Sequence, residues 1–265
     1  MMSIFRGLLF NAYLLLLTIV MGIGALPIRL SGRRNLALRY AKLWSKAVLA
    51  GLGKICGIRI NVVGRENLPV GPVLIASQHQ SFCDGFIWMN LLPRPAYVIK
   101  RELTKIPFVG PMLILSGMIS VERSDGAKAL RGMMKATADA YEDGRGIIIF
   151  PEGTRTLPGE RHPIQPGIVG IARQASVPVI PVVTDSGLFW ERSQWRKNPG
   201  TLNVVIGKPL PATKDRKEFI PALEKSWDEL CATYDLPRDP VDNSVEAADL
   251  FLSQPLDKVS EKNPA

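Results

Sequence analysis

The sequence predicts an α/β fold: a mixed, largely parallel sheet flanked by helices, with an N-terminal membrane-anchoring helical segment. Three observations lead to this prediction. Short apolar runs alternate with segments of helical periodicity from residue 58 onward, which is the pattern of α/β domains. An uncharged apolar stretch occupies residues 8–26. Polar clusters directly follow several predicted strands, and functional groups of α/β sheets gather at the carboxyl ends of strands.

The apolar stretch "LLFNAYLLLLTIVMGIGAL" is long enough to cross a bilayer, since a spanning helix needs about 20 apolar residues. Arg6 stands alone before it, whereas several basic residues follow it: Arg29, Arg33, Arg34, Arg39 and Lys42. In a spanning segment this bias places the body of the protein in the cytoplasm. A cleaved signal peptide is the alternative, although "GIGALP" is a poor cleavage site. A shallow re-entrant helix is a further alternative that the sequence allows. Of these possibilities, we expect a membrane anchor.

A second N-terminal helix is predicted from "NLALRYAKLWSKAVLAGLGKICG", which begins at Asn35. Arg39, Lys42 and Lys46 share one face, and apolar residues lie mostly opposite. Such a helix suits an anionic membrane interface, or it packs on the domain, and the sequence leaves both alternatives open. Residues 1–57 are therefore assigned to a membrane anchor and an amphipathic helix.

The α/β domain is predicted to occupy residues 58–236. Its strands are expected at residues 58–64, 95–100, 117–123, 146–150, 177–184 and 201–207, and residues 71–80 are expected to form a buried strand, ending at Ala76, that runs into a polar loop. Residues 126–142 have helical spacing, and Gly144 fits the glycine that ends a helix. Residues 237–265 are rich in Asp, Pro, Ser, Lys and Glu, apart from one helical piece, which predicts a flexible tail.

The formal net charge of +9 favours an anionic partner. Nucleic acid is one such partner, but we find neither a zinc-finger spacing nor an RNA-binding motif in the sequence. The apolar N-terminus explains the positive charge better, since it suggests contact with a membrane. We therefore expect an anionic membrane as the partner and no binding of nucleic acid. The three cysteines are far apart with no C-x-x-C spacing, which argues against a zinc site or a disulfide framework.

The stretch "SQHQSFCDGF" contains His79 and, five positions later, Asp84. The two side chains cannot meet on one regular helix. They can meet if His79 lies in the loop after a strand and Asp84 lies at the start of the next helix. The carboxylate would then hold one imidazole N–H, and the other nitrogen could take a proton from a hydroxyl. A plain helix cap beside a solvated histidine remains the alternative for this pair alone.

A second cluster follows the predicted strand in "GIIIFPEGTRT". Glu152 supplies a carboxylate, and Arg155 supplies a planar fork that suits phosphate. Gly153 lets backbone N–H groups approach a substrate closely. An exposed ion pair in a turn is the alternative. Basic side chains also stand at the ends of two other predicted strands: Lys100, Arg101 and Arg123.

The segments "HQSFCD", "KRELTKIPFVG", "FPEGTR" and "VPVIPV" resemble, in order and spacing, the four sequence blocks of the glycerolipid acyltransferases. The most similar branch is the 1-acylglycerol-3-phosphate acyltransferases, and the resemblance covers roughly residues 58–210. It implies that His79 is a general base oriented by Asp84. It implies a catalytic set of His79, Asp84, Glu152 and Gly153, and an acceptor-binding set of Lys100, Arg101, Arg123, Thr154 and Arg155.

The reaction implied by this resemblance is direct transfer of an acyl group from acyl-ACP or acyl-CoA to a lysophospholipid, forming phosphatidic acid without a metal or other cofactor. The expected location is the inner membrane of a bacterium, with the catalytic domain on the cytoplasmic side. The chain departs from the family at "IQPG", where Gln165 stands in place of a frequent basic residue. Another acceptor, such as lyso-ornithine lipid, is therefore the alternative. A membrane-bound lipid hydrolase ranks lower, because the sequence has no G-x-S-x-G motif.

Overall fold

A computed structural model describes residues 2–122, 126–175, 177–191, 195–211 and 215–239. Within these ranges the chain forms seven strands: β1 (Ile58–Val63), β2 (Val73–Ser77), β3 (Pro95–Lys100), β4 (Ile119–Val121), β5 (Gly146–Ile149), β6 (Val179–Thr184) and β7 (Gly200–Ile206). The α-helices in the same ranges are α1 (Met2–Gly24), α2 (Leu26–Ser31), α3 (Arg34–Cys56), α4 (Cys83–Leu91), α5 (Val109–Leu115), α6 (Gly126–Glu142), α7 (Gly167–Ala175), α8 (Ser186–Phe189) and α9 (Arg216–Thr233).

The strands form one sheet in the order β1-β7-β6-β2-β5-β3-β4. Strands β6, β2, β5, β3 and β4 run parallel to one another, whereas β7 runs antiparallel to β6 and carries β1 parallel to itself. The predicted fold class is therefore confirmed. Each predicted strand is present: β2 ends at Ser77, one residue after the predicted Ala76, and β4 covers only the centre of its predicted range.

Strands β2, β5 and β6 form the buried centre of the sheet, and all of their residues are buried. They are rich in Val and Ile because parallel strands of this kind are covered on both faces. Alternate residues of β2 point to opposite faces of the sheet, so they pack into two different hydrophobic cores. Val73 and Ile75 pack with the core that receives α1, α3 and α4, and Leu74 and Ala76 pack with the core that receives α7 and α9.

The two long N-terminal helices pack against each other and against the sheet. The Tyr13 hydroxyl donates to the carbonyl of Ala47, and the Tyr40 hydroxyl donates to the carbonyl of Met21, both at 2.9 Å, which sets α1 antiparallel to α3. Phe10 is fully buried in the same core as the inner face of β2. Helix α3 therefore packs on the domain, as one of the two alternatives predicts.

The outer face of α1 is apolar and exposed. Leu15, Leu16 and Val20 are each about 60% exposed, at 63%, 63% and 59%. Among the described residues, α1 is the helix that is long and apolar enough to cross a membrane, with a mean hydropathy of 2.0, judged by length and composition only. An exposed apolar surface of this extent marks a membrane or partner contact, which agrees with the predicted anchor.

The predicted C-terminal tail begins with residues that lie against the domain. Within residues 237–239, the Asp239 N–H donates to the carbonyl of Gly159 at 2.8 Å, and Arg238 pairs with Gly159 in a short parallel bridge. The packed part of the chain thus extends at least to Asp239. The remainder of the predicted tail, with its helical piece, lies outside the described residues.

Close packing of α1 on α3 depends on Gly51, because a Cβ there would lie 2.2 Å from the ring of Tyr13, whose hydroxyl is fixed to the α3 backbone. We expect Gly51→Ala to lower the free energy of unfolding by about 1–3 kcal/mol, the usual cost of overpacking. Gly53→Ala is the matched control, because a Cβ there meets its nearest neighbour at an ordinary 3.6 Å. The control should gain up to about 1 kcal/mol from helix propensity. Thermal unfolding in detergent would contradict the packing if both variants shifted the melting temperature alike.

Candidate active site

The loop between β2 and α4 brings His79 and Asp84 together. Strand β2 ends at Ser77 and α4 begins at Cys83, so Asp84 lies in the first turn of the helix. The His79 Nδ1 and Asp84 Oδ2 atoms are 2.9 Å apart. The same Oδ2 accepts hydrogen bonds from the N–H groups of Gln80 and Ser81, each at 2.9 Å. The contact that the loop–helix junction predicts is therefore confirmed, and the roles of the two side chains remain a prediction.

His79 is held in place rather than freely solvated. Its side chain is 22% exposed, and its ring stacks on Phe150 with centroids 4.1 Å apart and 19° between the planes. Asp84 is 3% exposed. Because the buried carboxylate accepts the Nδ1 proton, the neutral imidazole carries its unprotonated nitrogen at Nε2. This is the arrangement that a general base requires.

The loop after β5 lies beside the His79 loop because β5 is the sheet neighbour of β2. The Glu152 Oε2 atom accepts the backbone N–H of His79 at 3.0 Å, and the Thr156 N–H donates to the carbonyl of His79 at 2.8 Å. Glu152 is 5% exposed. Burial raises the pKa of the Glu152 carboxyl well above its ordinary value, and the negative Asp84 adds to this, whereas the His79 N–H and the positive Arg238 oppose it. Glu152 thus fixes the backbone of the predicted base.

Gly153 permits a tight turn in this loop. Its φ is +73°, a left-handed conformation that favours glycine, and its N–H donates to the carbonyl of Phe150 at 3.0 Å. The N–H of Gly153 is therefore used by the turn itself. If this loop supplies an oxyanion donor, that donor belongs to a residue after Gly153.

Arg155 lies on the same side of the site as the His79 loop. The centre of its guanidinium is 4.3 Å from the ring centroid of Phe82, a residue that is 41% exposed. The aromatic face attracts the cation and limits its motion. Thr154, between Gly153 and Arg155, is half-buried.

The other predicted acceptor-binding residues lie further along the same edge of the sheet. Lys100 is the last residue of β3, two strands from β2, or about 10 Å at the usual strand spacing. Arg101 begins a short 3-10 helix, is 59% exposed and pairs with Glu122 at 3.5 Å. Arg123 lies outside the described residues. The structure therefore groups His79, Asp84 and Glu152 tightly, and places Lys100 at a distance that a phosphorylated acceptor would have to bridge.

The family model described as Acyltransferase matches residues 59–185, the segment that holds β1 to β6 and both loops of the site. The chain belongs to the acyltransferase family. Similar proteins include the 1-acyl-sn-glycerol-3-phosphate acyltransferase of Pseudomonas aeruginosa, 35% identical over 171 residues, and that of Saccharomyces cerevisiae, 31% identical over 167 residues. These alignments cover 64% and 60% of this chain, and 66% and 55% of the respective relatives, so the chain spans somewhat over half to about two thirds of their length.

A solved structure agrees with the fold of this acyltransferase. The crystal structure of the 1-acyl-sn-glycerophosphate (LPA) acyltransferase PlsC from Thermotoga maritima matches with a TM-score of 0.72 at 22% sequence identity. The match covers 89% of this chain and 98% of that chain. The structural match therefore extends well beyond residues 59–185, the segment that the family model matches.

Several contacts of the acyltransferase site could not be found from the sequence. Phe150 stacks on His79, and Phe82 lies under Arg155. The Gln78 Oε1 accepts the N–H of Thr184 at 3.3 Å, and the Gln80 Oε1 accepts the N–H of Gly187 at 3.2 Å, which ties the His79 loop to the end of β6. The only sequence signal was that these aromatic and amide residues adjoin the two motifs.

Cys83 is buried, and its pKa is raised well above the ordinary value by burial and by the adjacent Asp84. A core role is therefore favoured over a nucleophilic one. Among the residues that the structure describes, no three His, Cys, Asp or Glu side chains group as a metal site would require. The expectation of a reaction without metal or cofactor stays a prediction.

The raised pKa of Glu152 predicts a pH-dependent stability. Below the ordinary glutamate value of 4.5 the carboxyl is neutral in both states, and above it the unfolded chain ionises first. The folded protein then binds the extra proton, so stability falls as the pH rises toward the folded pKa. Because glutamine cannot ionise, we expect the melting temperature of the wild type to fall relative to Glu152→Gln as the pH rises above the ordinary glutamate value. Glu229→Gln, on the exposed face of α9, is the control, and a pH-independent difference between wild type and Glu152→Gln would contradict the expectation.

Proposed function

We propose that the protein transfers a fatty acyl group from an acyl thioester to the sn-2 hydroxyl of 1-acylglycerol-3-phosphate and so forms phosphatidic acid. The observation that carries this proposal is the His79–Asp84 pair, held by Glu152 at the edge of the sheet where the Arg155 loop also ends. The names of the relatives, which are acyltransferases for this acceptor, support it.

The proposed chemistry uses His79 as a general base. Its Nε2 takes the proton of the acceptor hydroxyl while the hydroxyl oxygen attacks the thioester carbonyl carbon. The tetrahedral intermediate collapses with cleavage of the C–S bond, and the imidazolium returns the proton to the leaving thiolate. Asp84, 2.9 Å from Nδ1, stabilises the imidazolium that forms between the two steps. The acyl group thus passes directly from thioester to acceptor, with no acyl-enzyme.

The loop after Gly153 supplies the electrostatic stabilisation in this proposal. Since the Gly153 N–H is used in a turn, the backbone N–H groups of Thr154 and Arg155 are the candidates for the oxyanion. The Arg155 guanidinium, held over Phe82, would bind the acceptor phosphate. Lys100, Arg101 and Arg123 complete the proposed phosphate-binding set.

The donor is proposed to be acyl-ACP or acyl-CoA, and no further cofactor is required because a thiolate leaves readily. The exposed apolar face of α1 supports a membrane location, where lysophosphatidate and its product reside. Exposed arginines follow α1 and would meet anionic headgroups: Arg33, Arg34 and Arg39. We propose the bacterial inner membrane with the catalytic domain on its cytoplasmic side.

The acceptor is tested by offering detergent-solubilised protein a labelled acyl thioester with lysophosphatidate, lyso-ornithine lipid and lysophosphatidylcholine side by side. We expect labelled phosphatidic acid from lysophosphatidate. Product only from lyso-ornithine lipid would overturn the proposed acceptor while keeping the acyl transfer, and the exposed Gln165 would be the first residue to exchange for lysine. Release of free fatty acid without any acylated lipid would favour a hydrolase.

The base is tested by His79→Ala, which should lower kcat at least about 1,000-fold because general-base catalysis and orientation of the acceptor are both lost. The fold should be retained, since the side chain is partly exposed. His162→Ala is the matched control, because His162 is the other histidine of the chain and pairs with Glu160 on a surface loop. Activity of His79→Ala close to that of His162→Ala would remove His79 from the mechanism.

A further inference from the structure

A basic cleft lies between the start of α3 and the loops that precede β3 and β5. Its volume is about 670 Å³, which falls within the range of about 300–1,000 Å³ that is usual for ligand sites. No step of the proposed acyl transfer uses this cleft. Its charged lining has a formal charge of +4 and consists of five arginines and one aspartate: Arg33, Arg34, Arg39, Arg94, Arg145 and Asp143.

The wall of the cleft on the α/β domain is fixed by hydrogen bonds. The Asp143 carboxylate accepts Arg94 Nη2 at 2.8 Å and Arg145 Nε at 2.9 Å. Arg145 is only 3% exposed, and its Nη1 also donates to the carbonyl of Ser116 at 2.8 Å. The one carboxylate in the charged lining is therefore already shared by two guanidinium groups, and it is not placed to neutralise the other three arginines.

The opposite wall of the cleft comes from the start of α3 and carries three exposed arginines, Arg33, Arg34 and Arg39. None of the ion pairs within the described ranges involves these three side chains. A guanidinium group can bind a phosphate through two parallel hydrogen bonds. The chemistry of the cleft therefore suits an anionic ligand that carries a phosphate group.

The surface beside the cleft indicates where such a ligand comes from. Leu26 and Leu30 of α2 are 43% and 89% exposed, and Leu30 precedes Arg33 by three residues. They continue the exposed apolar face of α1, where Val20 and Ile23 are also exposed. An apolar surface that ends at a basic pocket is the arrangement in which membrane proteins bind the headgroups of anionic lipids. The neighbouring surface therefore favours a membrane lipid as the ligand.

The cleft and the candidate active site lie at opposite edges of the sheet. Arg145 directly precedes β5, whereas Glu152 lies beyond its end, and the four residues of β5 alone extend about 13 Å. An acyl carrier protein docked in the cleft would have to deliver its thioester to His79 at the opposite edge. A membrane lipid needs no such delivery, so the position of the cleft also favours a lipid over a carrier protein.

We propose that this cleft binds the phosphate of an anionic membrane phospholipid, at a site separate from the one that binds the acceptor. Arg34 and Arg39 supply guanidinium groups to the phosphate, and the Arg94–Asp143–Arg145 group forms the fixed wall behind it. The lipid site rests on the membrane location in the proposed function, but not on the identity of the acceptor. A headgroup in the cleft and the apolar face of α1 would give the protein two separate contacts with the same membrane.

The lipid site is tested by the melting temperature of the detergent-solubilised full-length protein, titrated with dihexanoyl-phosphatidylglycerol or dihexanoyl-phosphatidylcholine. We expect a saturable rise with the anionic lipid alone, because a ligand that binds the folded state stabilises it. In Arg34→Gln/Arg39→Gln, the lipid concentration for half of the rise should increase at least about tenfold, since each arginine contributes to headgroup binding. Arg39→Gln alone should show a smaller increase in the same direction.

Lys46→Gln/Lys54→Gln is the matched control, because it removes two exposed charges from α3 outside the cleft, and it should match the wild type. Equal weakening in both double variants would overturn a discrete site, since it would show general attraction between charges. The same rise with inorganic phosphate, or a rise with acyl carrier protein alone, would overturn the lipid as the ligand. A cleft-dependent rise in a protein that does not acylate lysophosphatidate would count against the proposed function alone.

Discussion

The active site depends on one oxygen atom, Asp84 Oδ2, which lies 2.9 Å from each of three nitrogen atoms, those of the His79 ring and of the Gln80 and Ser81 backbone. A buried carboxylate is costly unless hydrogen bonds compensate it, and these three contacts satisfy Oδ2, whereas Oδ1 is buried without a hydrogen-bond partner among the described residues. They also determine the path of the chain between β2 and α4. The ring position, the loop conformation and the start of the helix are therefore consequences of the same contact, and none can change without exposing or orphaning the carboxylate.

The sheet order determines what lies next to that loop. His79 and Glu152 are 73 residues apart in sequence, yet they meet because β5 is the parallel neighbour of β2. On the other side, β6 brings the N–H groups of Thr184 and Gly187 to Gln78 and Gln80. The loop is thus held from both neighbouring strands by hydrogen bonds to its backbone and its amide side chains. Such support fixes the His79 ring more firmly than a surface loop could.

The strands were predictable because most are short segments rich in apolar and β-branched residues, and the His79–Asp84 contact was predictable from its place between a strand and a helix. The support of the site was not. Neither the reversal of β7 nor the position of β2 at the centre of the sheet follows from local pattern, since both depend on contacts distant in sequence. The same limit explains Glu152, whose motif indicated a substrate contact but whose carboxylate holds the His79 backbone. It also explains residues 237–239, where composition predicted a flexible tail although the Asp239 N–H donates to the carbonyl of Gly159.

Asn11 shows how the anchor and the catalytic domain share one structure. In the sequence it is a polar interruption of an apolar stretch. In the fold its side-chain oxygen accepts a hydrogen bond from Lys197 Nζ at 2.9 Å, and Lys197 is fully buried beside the ring of Trp190. Burial lowers the pKa of Lys197 to about 8.

Gly7, nearer the N-terminus of α1, also lies against the rest of the protein. A Cβ on Gly7 would lie 2.1 Å from the carbonyl oxygen of Trp195, so α1 approaches the backbone of the catalytic domain here. One side of α1 thus packs against the rest of the protein, through Gly7, Asn11 and Tyr13. The other side of α1 is apolar and exposed. Because α1 cannot move without opening these contacts, α1 and the α/β domain form one packed unit.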